Sequence, residues 1–340
     1  MIALAPKVER IELVPFRIPS QRMGNYEAVL VRAQADGLEG LGEAPALRSR
    51  GDSVEELHED LRTAIDSGCP PGRSSAAAAL ACARLDLRAR AAGLPLAELL
   101  GATRRLHVSC NAPLTSRAPA AVAQDAETWA ARGFRTFKLK AANAGGGLDL
   151  ERIGAIRWAA GSDAEVRMDF NGRLTVQQAS VALACLRGAQ VTLAEQPLAP
   201  GAPASCWFGL QAQSTVPIAA DESLADPELA ARLAAGGAGL AIKLATVGGL
   251  LAACRLAARA RGPLTVGSSL ETGIGLAAAL HLACALEREP LACGLATGRL
   301  HDDQLAPGLE LEGRRLRLAS RPGLGVSLDR RALELYRVDR

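Results

Sequence analysis

Glu165-Val-Arg167-Met-Asp169-Phe-Asn171 is a short apolar run that ends in charge, and the same figure recurs along the chain. It returns as Thr136-Phe-Lys138-Leu-Lys140, Val191-Thr-Leu-Ala-Glu195-Gln-Pro197, Pro217-Ile-Ala-Ala-Asp221-Glu222-Ser223, Leu240-Ala-Ile-Lys243 and Leu264-Thr-Val-Gly-Ser268-Ser269-Leu-Glu271. From Lys138 through Asp169, Glu195, Asp221 and Lys243 to Glu271 the intervals are 31, 26, 26, 22 and 28 residues. Each holds one strand and one helix, and amphipathic or Ala-rich text such as Val176–Arg187 and Gly249–Ala260 fills the gaps. With the runs at His107–Leu114 and Leu291–Leu295, eight strands alternate with helices. That alternation predicts an all-parallel α/β sheet with right-handed crossovers, closed as a barrel. An open doubly wound sheet is the rival; the regular units and their charged ends favour closure.

Away from these units the text changes. Val8–Arg17 and Ala28–Ala33 have strand character, and Gly37-Leu38-Glu39-Gly40 reads as the turn between strands. From Ser53 to Leu100 the pattern is helical, broken at Cys69-Pro70-Pro71-Gly72 and Gly93-Leu94-Pro95. The expected organisation is an α+β capping domain over 1–106, the barrel over 107–300, and a tail, 301–340, that packs back on the first unit.

Composition narrows the function classes. With 49% hydrophobic and 22% charged residues the chain can build one large core or two. A net charge of +3, few aromatics and no basic block argue against a nucleic-acid groove. Lys7, Glu9 and Arg10 interrupt the N-terminal apolar text, so no signal peptide is expected there. Gly273–Leu286 is too short to span a bilayer and reads as a buried helix. The cysteines show no CxxC pair, and small buried thiols in a reducing cytoplasm are expected.

The residues at the strand ends carry the chemistry. Residues one unit apart at strand ends converge on the C-terminal rim of a barrel. Residues two apart on a strand share a face, so Lys138 faces with Lys140, and Arg167 with Asp169 and Asn171. Asp169, Glu195 and Asp221 then meet on adjacent strands. At ~4 Å and an effective dielectric near 20, each like-charged pair costs about 4 kcal/mol, so something must neutralise them. An all-oxygen set without Cys or His suits a hard dication such as Mg²⁺, or Mn²⁺ in its place. Alternatively, nearby lysines and arginines do the neutralising. Only Lys7, Lys138, Lys140 and Lys243 are lysines among 39 Lys and Arg, and three of the four lie in these apolar runs. Lysine, unlike arginine, loses its proton when desolvated or set beside another cation. These lysines are therefore expected to be lowered toward the range of a working base, flanking the metal from both sides. The bland alternative is a lysine whose stem is buried and whose head reaches water. A Schiff-base aldolase would also place a lysine here, and a non-catalytic binding barrel would leave the site idle.

The arrangement K-x-K, D-x-N, E-Q-P, D-E-S, a later Lys and S-S-x-E-T resembles the enolase superfamily in its muconate-lactonising subgroup, and Gly37–Pro45 is similar to that family's cap signature. The resemblance implies a barrel of the (β/α)7β type with an N-terminal α+β capping domain completed by the C-terminal tail. It implies Mg²⁺ on Asp169, Glu195 and Asp221. It makes Lys140 the base, Lys138 its partner toward substrate oxygen, and Lys243 the lysine of the opposite face. The implied reaction is abstraction of a proton α to a carboxylate through an enediolate. Within the subgroup, Ser268–Leu276, Ala292–Gly298 and Pro322–Val326 look most like o-succinylbenzoate synthase, a lyase of menaquinone synthesis. N-acylamino-acid racemase, dipeptide epimerase and muconate cycloisomerase are the alternatives. Leu300-His-Asp302-Asp303 departs from the epimerase Asp-x-Asp spacing. The substrate-binding set is Arg167, Asn171, Ser268, Ser269 and Gly294, with Arg167 and Asn171 orienting the ligands around them. Ser268 and Ser269 either touch substrate or simply end a strand. Glu271 reads as the cap of the next helix, Gly145–Gly147 as a loop, and Arg22 as a solvated loop residue within reach of a distal carboxylate. The implied partner is a small carboxylate substrate, with neither nucleic acid nor membrane, and the family leaves room for a homo-oligomer.

Overall fold

The computed structural model describes residues 6–19, 24–47, 50–141, 150–300 and 305–338. The chain opens with an antiparallel sheet of β1 (Arg10–Ile18), β2 (Tyr26–Ala35) and β3 (Leu38–Pro45), with β2 central. The β2–β3 turn is Asp36-Gly37, both at positive φ (49° and 73°), the geometry a two-residue hairpin needs. The turn expected at residues 37–40 is thus shifted, and Leu38–Gly40 lie in β3. Gly40 and Gly42 have a packing purpose instead. A Cβ on either would collide with the Ala83 or Ala79 carbonyl of helix α2 (Ser74–Ala91), which lies directly on the sheet. Before it comes α1 (Val54–Ser67), started by a reciprocal Ser53–Glu56 capping box and stopped by left-handed Gly68; after it comes the short α3 (Leu96–Leu99). Along β2, Ala28 and Leu30 join the large core, whereas Val29, Val31 and Ala33 join a second core with α1 and α2, as the period of two dictates.

The parallel sheet runs β5 (Ala112–Leu114), β6 (Thr136–Lys140), β7 (Glu165–Asp169), β8 (Val191–Glu195), β9 (Ile218–Ala220), β10 (Gly239–Lys243) and β11 (Leu264–Gly267), each bonded to the next. Helices fill the intervals: α4 (Pro119–Ala131), α5 (Leu150–Ala160), α6 (Val176–Gly188), α7 (Ala204–Ala212), α8 (Pro227–Ala235), α9 (Leu244–Val247) and α10 (Leu250–Arg259). The eighth stave is not a full strand. Cys293 bridges Cys110, and Gly294 bridges Gly267, so two residues join the sheet's edges and close the ring. The first expected strand, His107–Leu114, divides in two. Its front half, β4 (His107–Ser109), leaves the barrel to pair with β13 (Arg315–Arg317), itself paired with β12 (Glu310–Glu312).

Helix α11 (Gly273–Ala285) is buried almost all round, as its uniform apolarity requires. It packs against α3 and β3 of the N-terminal unit. Among the described residues no helix is long and apolar enough to cross a membrane. The tail returns to the first unit: α12 (Arg330–Tyr336) packs on β1, and Val338 N donates to Pro15 O at 3.1 Å. All eight cysteines are free; four are buried, but Cys69 and Cys185 are exposed, contrary to expectation.

Candidate active site

Strand register puts the charged ends in one row. Lys140 lies opposite Asp169, and Asp169 opposite Glu195. Asp221 is added by the turn after β9, held in place by Gln196. That residue, at φ 42° and wholly buried, accepts from Asp221 N (2.8 Å) and Ser223 N (3.2 Å) and donates to Ser223 Oγ and Leu198 O (2.7 Å each). The E-Q-P and D-E-S motifs are thus two halves of one clasp.

Asp169, Glu195 and Asp221 are each at most 3% exposed, and one oxygen from each lies within 4.8 Å of the others. Lys138 Nζ is 3.0 Å from Asp169 Oδ2 and 2.5 Å from Glu195 Oε1; Lys243 Nζ is 2.5 Å from Asp221 Oδ2. The lysines therefore do neutralise carboxylates, but two cations face three anions. Asp221 Oδ1 is buried with no hydrogen-bond partner among the described residues. An orphaned buried carboxylate oxygen and an all-oxygen donor set fit a hard divalent ion.

Burial pushes the Glu195 carboxyl up to about 7, against the pull of Lys138. Burial also raises Asp169, but Lys138, Lys140 and Lys243 outweigh it and hold that carboxyl down at about 2. For Lys138 and Lys243 the expected lowering is reversed. Burial disfavours their charge, yet Asp169 and Glu195 on one, and chiefly Asp221 on the other, keep both amines above the usual lysine range.

Lys140 differs. It is exposed, and its Nζ donates to Asn171 Oδ1 at 2.9 Å. Asn171 sits at φ 46°, a left-handed position asparagine tolerates, with its N–H on Asp169 Oδ1 at 3.0 Å. Its amide Nδ2 donates to Glu222 Oε1 at 3.0 Å.

These groups line a cavity of about 1350 Å³ at the strand ends, roofed by Asn25, Tyr26, Leu47 and Arg50 of the N-terminal unit. Ser268, Ser269 and Gly294 line it too. Ser268 Oγ and Thr297 Oγ1 share a hydrogen bond of 2.7 Å, and Ser269 Oγ is buried without a partner among the described residues. Arg167 does not reach the cavity. It shares the Asp169 face but lies deeper, and its Nη1 donates to Ala292 O at 2.7 Å. Asn111 Nδ2 and Thr265 Oγ1 donate to that same carbonyl at 3.3 and 3.1 Å, so Arg167 secures the closing segment from the barrel floor.

Glu271 is not the cap of α11. It accepts from Ser269 N at 2.5 Å, and the helix N-terminus is taken by Glu43 of β3. Glu43 accepts from Thr272 N and Thr272 Oγ1 (2.8 Å each), Gly275 N (2.9 Å) and Tyr26 OH (2.5 Å). Sequence reasoning missed Tyr26, Glu43, Asn111, Glu222 and Thr297 as site neighbours; Glu43, Glu222 and Thr297 lie inside motifs that had stood out, whereas Tyr26 and Asn111 carried no local signal. Arg22, Gly145–Gly147 and His301–Asp303 lie outside the described residues.

Residues 121–332 match the family described as Enolase C-terminal domain-like. A chloromuconate cycloisomerase of Cupriavidus necator is 31% identical, over 97% of this chain and 99% of that protein. An o-succinylbenzoate synthase of Thermobifida fusca is 37% identical, over 57% of this chain and 64% of that protein. The solved substrate-liganded complex of the L-Ala-D/L-Glu epimerase from Bacillus subtilis superposes with a TM-score of 0.85 at 27% identity, covering 94% of this chain and 98% of that one.

Proposed function

Because this chain belongs to the enolase superfamily, in its muconate-lactonising subgroup, we propose that it removes the proton α to a substrate carboxylate with Lys140 as base, and that the reaction is a syn-dehydration giving o-succinylbenzoate. The observation that carries this reading is the unequal partnering of the three lysines. Lys138 and Lys243 are each clamped by carboxylates, whereas Lys140 faces the cavity with a neutral amide for its partner.

Asp169, Glu195 and Asp221 would hold Mg²⁺, or Mn²⁺ in its place, and the ion when bound supplies Lewis acidity toward the substrate carboxylate. Lys138 Nζ, kept charged by its carboxylates, donates to a substrate carboxylate oxygen. Lys140 Nζ takes the α-proton and returns it from the same face to the departing hydroxyl, so the carbon–oxygen bond breaks as water leaves. Lys243, kept charged by Asp221, opposes the negative charge that builds up on the substrate. Racemisation and epimerisation need a lysine on each face that alternates between acid and base, and the Asp221 carboxylate 2.5 Å from Lys243 favours the acid form of that amine. Cycloisomerisation needs only one lysine. It is the second reading, favoured by the likeness to the chloromuconate cycloisomerase along nearly the whole chain. The free cysteines support a reducing, cytoplasmic setting.

The test assays the cyclohexadiene precursor of o-succinylbenzoate beside muconate, N-acylamino acids and dipeptides, with and without EDTA. The expected result is dehydration of the precursor, lost in EDTA and restored by Mg²⁺. Turnover of muconate alone would replace dehydration by cycloisomerisation. Borohydride trapping with EDTA-resistant activity would point to a Schiff-base aldolase. No turnover together with no Mg²⁺ uptake on titration would leave a binding barrel.

A further inference from the structure

Glu222 has no part in the reaction as set out above, yet it lines the cavity beside Asp221. Its Oε1 accepts from Asn171 Nδ2 at 3.0 Å, and its Oε2 is buried without a hydrogen-bond partner among the described residues. A charged group so poorly compensated costs stability, and such groups persist where they serve a site. What Glu222 does to Asn171 is specific. An amide has one accepting end and one donating end, and which end faces which neighbour is set by those neighbours. A carboxylate accepts only, so Nδ2 must point at Glu222. Oδ1 is then turned to Lys140, whose Nζ donates to it at 2.9 Å. The Asn171 N–H is meanwhile fixed on Asp169 Oδ1 at 3.0 Å, so the amide cannot drift away as a unit.

We propose that Glu222 is a positioning residue for proton transfer: acting through the Asn171 amide, it holds the Lys140 amine at the cavity wall. The proposal rests on Lys140 being the base, and it adds the device that aims it. Orientation of the amide, rather than the charge of Glu222, is the operative property. Glu222→Gln keeps an accepting oxygen for Asn171 Nδ2; Glu222→Ala removes it.

The lysine-poor composition makes a direct test practical. Trace acetylation with acetic anhydride, read by peptide mass spectrometry, reports each of the four lysines separately, with exposed Lys7 as the internal reference. Glu222→Ala is expected to raise the labelling of Lys140 relative to Lys7 by about threefold or more, because the amine is no longer tethered. With the Mg²⁺-loaded enzyme and the cyclohexadiene precursor, the same variant is expected to lose about 10²-fold in kcat with little change in KM. Mn²⁺ affinity, read by electron paramagnetic resonance, should stay within about threefold, because the three carboxylates are untouched. Glu222→Gln should restore both the labelling and most of kcat. Unchanged Lys140 labelling in Glu222→Ala overturns the proposal, as does Glu222→Gln behaving like Glu222→Ala. Loss of Mn²⁺ binding in Glu222→Ala would overturn it too, by making Glu222 part of the metal set. If Glu222→Ala does not fold, Asn171→Ala supplies the labelling arm with the same expected rise. The labelling needs no substrate, so it stands or falls separately from the assignment of Lys140 as base, which Lys140→Arg tests.

Discussion

The two sides of the cavity use the same residue type for opposite ends. On the β6 side Lys140 is exposed and meets a neutral amide; on the β10 side Lys243 is mostly buried and meets the Asp221 carboxylate at 2.5 Å. The β10 side is also the braced one. Gly267 packs beside Lys243, the Ser268–Thr272 loop follows, and Glu43 pins the helix after that loop to the N-terminal sheet. A lysine's chemistry is thus set by its partner rather than its place on the rim: a carboxylate fixes the charge, while an amide aims the amine.

The harshest way to break this contrast is to remove the working lysine. Lys140→Arg is expected to cut exchange of the substrate α-proton with D₂O, followed by proton NMR, by about 10²–10⁴-fold. Mn²⁺ binding should survive, and exchange persisting in that variant would end the assignment. Removing the opposite lysine should do less. Lys243→Ala loses a charge stabiliser, and a fall in kcat of about 10²–10³-fold is expected. Exchange at the α-carbon should remain measurable; a variant that exchanges only one enantiomer of a racemic substrate would show Lys243 working as a second base.

The bracing of the β10 side can be probed through stability. Glu43→Ala leaves two backbone donors at the start of α11 and the Tyr26 hydroxyl without their acceptor, a cost of about 3 kcal/mol by urea unfolding. The smallest effect concerns Glu271. Burial, helped by Glu43, raises its folded-state carboxyl from 4.5 to about 7. Between those pH values the folded chain binds more protons than the unfolded one, so stability falls as pH rises. Glu271→Gln should flatten that slope, giving a variant more stable than the parent at pH 8 by about 1–3 kcal/mol in thermal or urea unfolding. Some slope should remain, because the Glu195 carboxyl is also raised to about 7.

The row Lys140, Asp169, Glu195 was legible because it depends on two local regularities, the length of a strand–helix unit and the side-chain period of two. Depth was not legible. Arg167 has the right parity, but two residues down a strand is about 6–7 Å toward the floor, below the cavity. Long-range partners left no trace either. Glu43 and Thr272 are 229 residues apart in the chain, and β4 leaves the barrel for a strand contributed by the tail. The protonation of Lys138 and Lys243 was misjudged because it is decided by carboxylate oxygens within 3.0 Å, a distance no spacing reveals. Gly40 looks like a turn residue in text, and only the helix lying against Gly40 and Gly42 shows why a side chain is forbidden at either.

The two-residue closure of the barrel has a consequence for how the protein is made. Asn111 and Ala292, hydrogen-bonded where the ring shuts, are 181 residues apart. At synthesis rates of about 5–20 residues per second, the earlier staves emerge on the order of ten to forty seconds before the segment that joins them. During that interval β5 presents a bare sheet edge with backbone groups open to pairing by another chain. Contacts this distant in sequence also form slowly. That open edge is a hazard of synthesis which the finished, closed ring conceals.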